Sequence, residues 1–178
     1  MKKSYISYLI CAILLVHADT FAYGIYADLL ESDVKANFIF YFSKFVNWPK
    51  NKLNPALKYI DLCVHDADSF APHFSSLKQK TVQKYELRLL PFSDTHTCHL
   101  LYINTSDEVQ IKALLKIIDK QPVLTIGESE NFCELGGMIR FYKQNNKIRF
   151  EINMNAAMQA NIEISSQLLK IAKIYHPN

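Results

Sequence analysis

Glycine and tryptophan are scarce in this chain, which has four glycines and one tryptophan among its 178 residues. A phosphate-binding loop needs several glycines between a strand and a helix, usually with a Lys-Ser/Thr pair, and no stretch of the sequence provides them. The Gly-x-Ser-x-Gly elbow and the His-Glu-x-x-His motif are also missing. The sequence therefore lacks the common signatures of nucleotide-binding enzymes, serine hydrolases and zinc proteases.

A strong charge of either sign is missing as well. The 20 basic and 17 acidic residues give a formal net charge of +3, and they are scattered along the chain. Nucleic-acid-binding surfaces typically show basic blocks interleaved with aromatic side chains, which are not found here. We therefore expect no nucleic-acid partner, and the apolar fraction of 49% predicts a globular domain.

Only one long apolar run occurs, and it lies at the N-terminus. The run "YISYLICAILLV", residues 5–16, follows two lysines and precedes small residues at Ala18 and Ala22. It is too short to cross a membrane and has the layout of a secretory signal peptide. We predict a signal peptide over residues 1–22, cleaved after Ala22 or, alternatively, after Ala18.

Export makes the cysteine count informative. Cleavage after Ala22 would leave residues 23–178 as a single domain. Lipidation at Cys11 and an uncleaved anchor are the alternatives to cleavage. In an oxidising compartment two of the remaining cysteines should pair and one should be left over. These three cysteines are Cys63, Cys98 and Cys133.

The periodicity of apolar residues predicts an α/β fold. Strands are predicted over residues 58–65, 84–91, 98–104 and 122–127, and helices over residues 32–46, 68–79, 105–120 and 165–175. A hairpin over residues 137–154 turns at Asn145-Asn146, a pair that tolerates positive φ. This order predicts three layers around a mostly parallel sheet with a C-terminal antiparallel hairpin.

Two of the predicted helices carry an apolar face and a capping residue. Ser32 is expected to cap the first helix and Ser106 the third. The expected buried face of the first helix comprises Val34, Phe38, Phe42 and Phe45, broadened by Ile39 and Tyr41. The expected buried face of the third helix comprises Val109, Ala113, Leu114 and Ile117.

Cysteine and histidine residues suggest either a disulfide or a metal site. Cys63 and His65 share one face of a predicted strand, and Cys98 and His99 lie at the start of another. If the two strands are neighbours, these four residues form a candidate site for zinc or copper. A disulfide competes for the same sulfurs, and export favours the disulfide.

The C-terminal half contains the remaining candidate residues. Gly136 and Gly137 are expected to form a structural turn or bulge that starts a strand with the backbone closely packed. Glu151, between two apolar residues, is either a solvent-facing residue or a point of recognition. Asn155 is expected to cap the following helix.

Several motifs together resemble the YfiR family of small exported proteins, over nearly all of the mature chain. In the C-terminal half they are Val123–Gly127, Gly136–Ile139, the Phe-Glu-Ile-Asn stretch Phe150–Asn153, and Leu168–Ala172. In the N-terminal half they are Phe45–Pro49, Leu62–Val64, and Cys98 followed by Leu100–Ile103. Each motif alone is unspecific, but the combination is specific.

The resemblance implies a Rossmann-like α/β domain in the Gram-negative periplasm that acts as a regulator and not as an enzyme. It implies no cofactor. Described members bind the periplasmic sensor region of an inner-membrane diguanylate cyclase and keep its output low, and an outer-membrane lipoprotein acts with them. A different sensory protein is an alternative partner, and the aromatic content would allow a homodimer. The alternative function is that of a periplasmic small-ligand or metal-binding sensor that uses Cys63, His65, Cys98 and His99.

The resemblance also assigns roles to individual residues. Cys63 and Cys98 match the disulfide pair of the family. Cys133 matches one cysteine of a second pair, whose other position is Arg140 here, so that bridge is missing. The region around Glu151, Asn153 and Ala157 is similar to the part that contacts the partner.

Overall fold

The computed structural model describes residues 31–53, 56, 58–74, 77, 80–93 and 97–177. The predicted signal peptide, residues 1–22, lies outside these ranges. Within them, no helix has the length and apolar character needed to cross a membrane.

Helices and strands alternate along the described chain. The first helix, α1, covers residues 31–44. The other helices are α2 (Ala67–Phe74), α3 (Glu108–Ile117), α4 (Met154–Gln159) and α5 (Ser166–Leu169). The strands are β1 (Val46–Asn47), β2 (Tyr59–His65), β3 (Thr81–Val82), β4 (Tyr85–Pro91), β5 (Leu100–Ile103), β6 (Leu124–Gly127), β7 (Ile139–Gln144), β8 (Lys147–Ile152), β9 (Glu163–Ile164) and β10 (Lys173–Ile174).

The described strands form one large sheet and one small one. The large sheet has the order β10-β8-β7-β6-β5-β2-β4-β3, and β1 pairs separately with β9. Strands β4, β2, β5, β6 and β7 are parallel, β8 is antiparallel to β7, and β3 is antiparallel to β4. The predicted α/β fold, with a mostly parallel sheet and a C-terminal hairpin, is confirmed.

Alternating residues of the central strands supply two cores on opposite faces of the sheet. Leu100 and Tyr102 of β5 join the core that holds the buried residues of α1 and α2. Leu101 and Ile103 join the core that holds α3. The two-residue period of a strand produces this division, and the predicted three layers follow from it.

The hairpin turns where the sequence predicts. Asn145 and Asn146 have φ values of 52° and 56°, the left-handed conformation required by the tight turns that match the twist of a hairpin. The turn fixes the register, so that Phe141 lies opposite Phe150. Both rings contact Phe42 of α1, with centroids 5.6 and 4.9 Å from its ring.

The predicted cap, the predicted C-terminal end and part of the predicted buried face of α1 are wrong, but Ile39 and Phe42 are buried as predicted. Residue 31 is already helical, so Ser32 is not the cap, and Val46 belongs to β1. Val34 and Tyr41 are exposed. The residues buried at helical spacing are Ala36, Ile39, Phe40 and Ser43, together with Phe42. Ser43 can join them because its hydroxyl donates to the Phe40 carbonyl.

The predicted cap and most of the predicted face of α3 are also wrong. Asp107, and not Ser106, caps the helix, since its carboxylate accepts from the backbone N–H groups of Val109 and Gln110. Val109 is 77% exposed and Ile117 is exposed as well. The helix buries Ile111, Leu114 and Ile118, residues that recur at three- and four-residue spacing.

The predicted C-terminal helix is much shorter than residues 165–175. α5 is a single turn capped by Ser165, and Lys173–Ile174 then forms β10 beside β8. Tyr175 continues this pairing by donating its N–H to the Ile152 carbonyl. Backbone groups on the free edge of β8 need partners, and pairing with the last residues supplies them.

Candidate partner-binding site

The ring of Phe132 packs against the backbone of two glycines, one at the end of β6 and one just before β7. Phe132 is fully buried. A Cβ on Gly137 would lie 2.1 Å from the ring Cε1 atom, and a Cβ on Gly127 would lie 2.4 Å from Cε2. The two glycines therefore flank opposite edges of the ring, and a side chain at either position would require the ring to move.

Gly136 and Gly137 have different requirements. A Cβ on Gly136 would meet nothing within 4 Å, but its φ of +101° lies in the region that favours glycine. This conformation closes the segment over residues 128–137, which we call the Phe132 loop. The Gly137 N–H donates to the Phe132 carbonyl at 2.8 Å.

Asn153 joins the Phe132 loop to the start of α4. Its side-chain N–H donates to the Cys133 carbonyl at 2.9 Å, and its side-chain oxygen accepts from the Ala156 N–H at 3.0 Å. Its backbone N–H donates to the Met138 carbonyl. Asn153 is thus the cap of α4, and the prediction that Asn155 is the cap is wrong.

Glu151 is buried, with an exposed fraction of 4%. Arg140 of β7 and Lys173 of β10 are its partners across the sheet on either side of β8. Arg140 Nε lies 2.7 Å from one carboxylate oxygen and Lys173 Nζ lies 3.2 Å from the other. Burial raises the pKa of Glu151, but the hydrogen bonds and charges of Arg140 and Lys173 outweigh burial, so its pKa is lowered.

The three predicted partner-contacting residues are buried in α4 or directly before it. Glu151 and Asn153 precede the helix, and Ala157 is its buried residue. The exposed residues of α4 are Asn155, Met158 and Gln159. A partner that docks on α4 would contact these side chains first.

The predicted disulfide between Cys63 and Cys98 is present. It joins β2 to the segment before β5, with the Cα atoms 5.7 Å apart, and both residues are buried. On the chain-entropy account, closing a loop between residues 35 positions apart stabilises the fold by about 4 kcal/mol. The bridge also uses both sulfurs that the alternative metal site would need as thiolates.

The two histidines of that alternative site have different surroundings. His99 is buried, and its Nδ1 accepts from the Asp61 N–H at 3.1 Å. Burial and the charge of Lys52 lower the pKa of His99. His65 is half-buried at the end of β2. Among the described residues, no group of three or more His, Cys, Asp or Glu side chains is arranged to hold a metal ion.

The model of a known protein family matches most of the described chain. The family model for YfiR/HmsC-like proteins matches residues 32–173. The match runs from α1 to β10 and includes the disulfide, the Phe132 loop and α4. The chain belongs to the YfiR/HmsC-like family. YfiR/HmsC-like proteins are known for periplasmic regulation of diguanylate cyclases and are regulatory rather than catalytic.

In this YfiR/HmsC-like chain Cys133 is a free, buried thiol. Burial and the negative charge of Glu151 raise the pKa of Cys133 to about 12. Because the thiolate is the reactive form, Cys133 is a poor nucleophile at neutral pH. Arg140, at the position where the family resemblance implies the other cysteine of the second pair, pairs with Glu151.

An ion-pair cluster that was not predicted from the sequence links α1 to the end of β6. Lys35 Nζ lies 2.6 Å from Glu31 and 2.7 Å from Glu128, and Tyr102 donates to Glu128. Lys143 pairs with Glu31. Burial lowers the pKa of Lys35, but the two carboxylates outweigh it and raise the pKa. The four-residue spacing of Glu31 and Lys35 was the only signal available in the sequence.

The first prediction concerns the contact between Gly137 and Phe132. Gly137→Ala should destabilise the protein by roughly 1–3 kcal/mol, because the added methyl group collides with the ring. In a Phe132→Leu background the cost should be smaller, since leucine lacks Cε1 and Cζ. Urea denaturation of the four proteins in this cycle measures the difference.

Gly136→Ala is the matched control for this cycle. Its cost arises from backbone conformation and not from contact with the ring, so Phe132→Leu should leave it unchanged. Equal costs of Gly137→Ala in both backgrounds would contradict the account.

The second prediction concerns the charge of Glu151. A carboxylate whose pKa is lowered by folding adds stability above its ordinary pKa of 4.5, and this stability is lost as the pH falls through the folded pKa. Glu151→Gln should therefore be less stable than the wild type by about 2–3 kcal/mol at pH 7, and the gap should narrow below pH 4.5. Urea denaturation at a series of pH values measures the gap.

Glu86→Gln is the control for the pH series. Glu86 lies 3.6 Å from Lys58, but the side chains of Glu86 and Lys58 are 47% and 64% exposed, so solvent screens the pair. Its substitution should change stability little at any pH. A gap for Glu151→Gln that does not depend on pH would show that the carboxylate charge is not what stabilises this site.

Proposed function

We propose that the protein is an exported regulator that represses a membrane-bound diguanylate cyclase by binding its periplasmic sensor region. Membership of the YfiR/HmsC-like family is the observation that carries this proposal. Another membrane-bound sensory protein is the alternative partner, and an outer-membrane lipoprotein and a second copy of the chain are further partners to test.

The buried Cys63–Cys98 bridge supports an oxidising compartment. A periplasmic location also agrees with the signal peptide predicted over residues 1–22. We therefore propose export to the periplasm, where the protein would meet the external part of a membrane-spanning partner.

The interactions that hold the start of α4 in place favour this helix as the contact surface. Asn153 fixes its first turn by hydrogen bonds to the Phe132 loop and to Ala156. Glu151 is held by charged partners on both neighbouring strands. A surface supported in this way loses little conformational entropy on binding, which increases affinity. We propose that Glu151, Asn153 and Ala157 contribute by positioning α4, and that Met158 and its exposed neighbours make the contact.

Repression would act through the equilibrium of the partner. A cyclase with active and inactive conformations shifts toward the inactive one only if the regulator binds that conformation more tightly. A shift from 1:99 to 99:1 requires a difference in affinity of about 10⁴-fold. The regulator needs no catalytic group for this action.

The third prediction tests the proposed function in cells. Deletion of the gene should raise the level of cyclic-di-GMP. The exported wild-type protein should restore the lower level, and a version that lacks residues 1–22 should not. Unchanged cyclic-di-GMP in cells that express the protein would contradict repression of a cyclase.

Two matched variants test the part that α4 plays. Met158 is 60% exposed, so Met158→Glu should weaken repression while the melting temperature stays unchanged. Val109→Glu adds the same charge at an exposed apolar position on α3 and should repress like the wild type. Equal repression by the two variants would argue against α4 as the contact.

A further inference from the structure

A groove lies between the C-terminal part of α3 and α4, and its volume is about 330 Å³. We call it the α3–α4 groove. It is within the size range of pockets that bind ligands or anchor side chains. Its floor is formed by the start of β6 and by the end of the Phe132 loop.

The two walls of the groove differ in charge. Lys112, Lys116 and Lys120 line the α3 side, where Asp119 is the only acidic residue lining the groove within the described chain. The α4 side contributes Ala156, Gln159 and Ala160, none of which is charged. The groove therefore has a positive rim on one side and a neutral rim on the other.

The floor of the groove is apolar. Val123, Met138 and Leu135 contribute to it. Thr125 is also present, but its hydroxyl oxygen already accepts from the Met138 N–H at 2.9 Å. Methionine adapts its shape to the group that it contacts. Apolar side chains therefore suit this floor better than polar ones.

We propose that the α3–α4 groove binds an acidic amphipathic helix of the partner protein. The proposal rests on the proposed function and adds to it the surface and the chemistry of the contact. Apolar side chains of that helix fill the floor, while its carboxylates face the lysine rim. One wall of the groove is α4, so the groove is continuous with the contact surface described above.

The spacing of the lysines favours a helix as the occupant. Lys112 and Lys116 lie one turn apart on α3, which corresponds to about 6 Å along the helix axis. Carboxylates at positions i and i+4 of a second helix have the same separation, so a helix lying along α3 can pair both. Helices that dock in apolar grooves through such anchors are a common mode of recognition.

The two kinds of contact have separate effects. Apolar anchors buried in the floor supply most of the affinity, since desolvated central residues dominate binding energies. Charges on an exposed rim mainly set orientation and association rate, and salt screens them. Reversing the rim charge adds repulsion against an acidic helix and should reduce occupancy of the groove.

The fourth prediction combines crosslinking with charge reversal. The photoreactive amino acid p-benzoylphenylalanine is placed at Gln159, an exposed residue that lines the groove. After irradiation of cells, mass spectrometry identifies the crosslinked peptide. We expect one periplasmic segment that is acidic and amphipathic, and Lys112→Glu with Lys116→Glu should lower its yield about tenfold.

Lys84→Glu with Lys170→Glu is the matched control. It makes the same change in net charge at exposed positions outside the groove, and the yield should equal that of the wild type. Melting temperatures of both double variants check that the fold is retained. A crosslink to a second copy, to the same chain or to a lipid would overturn the proposal, as would a yield that the Lys112/Lys116 variant leaves unchanged.

Cyclic-di-GMP measured in the same cells separates this proposal from the proposed function. If the wild type lowers cyclic-di-GMP and the groove variant does not, both are supported. If the wild type leaves cyclic-di-GMP unchanged, repression of a cyclase fails, and the crosslinked peptide still decides whether the groove binds an acidic helix.

Discussion

The packing of the Phe132 ring against the backbone of Gly127 and Gly137 is the contact on which the candidate site depends. The ring can be fully buried there only because neither glycine has a side chain. Its position fixes the Phe132 loop, and the next residue, Cys133, presents its carbonyl to the side chain of Asn153. Of the two adjacent glycines, Gly137 permits the close approach of the ring, and Gly136 adopts a backbone conformation that favours glycine.

Asn153 links α4 to the Phe132 loop. One side chain connects the loop and the first turn of the helix, and its backbone N–H connects both to the start of β7. Glu151 adds a charged cross-link between β7, β8 and β10 directly before the helix. The residues that the family resemblance associates with the partner therefore lie in α4 or directly before it, next to the proposed contact surface. The lysine rim of the α3–α4 groove would add a preference for acidic partners to the proposed contact surface.

Local patterns in the sequence predicted those features that depend on neighbouring residues. The hairpin followed from the Asn145-Asn146 pair, and β2 followed from an alternation that puts Cys63 opposite Leu62 and Val64. The burial of individual side chains by distant elements was not predicted. The aromatic residues of α1 occupy several sides of the helix, so periodicity alone could not identify which side is buried. Glu151 is buried because strands on both sides supply cations, and β10, one of these strands, was predicted to be helix.

Native-state hydrogen exchange is the most direct test of the claim that the Phe132 loop and α4 form one unit. The amides of Ala156 and Ala157 donate to Asn153, whereas the amide of Ile111 reports on α3. In Gly137→Ala, protection of Ala156 and Ala157 should fall together with that of residue 137, and by more than that of Ile111. Unchanged protection of Ala156 and Ala157, with residue 137 deprotected, would show that the loop and the helix are independent and would contradict the account.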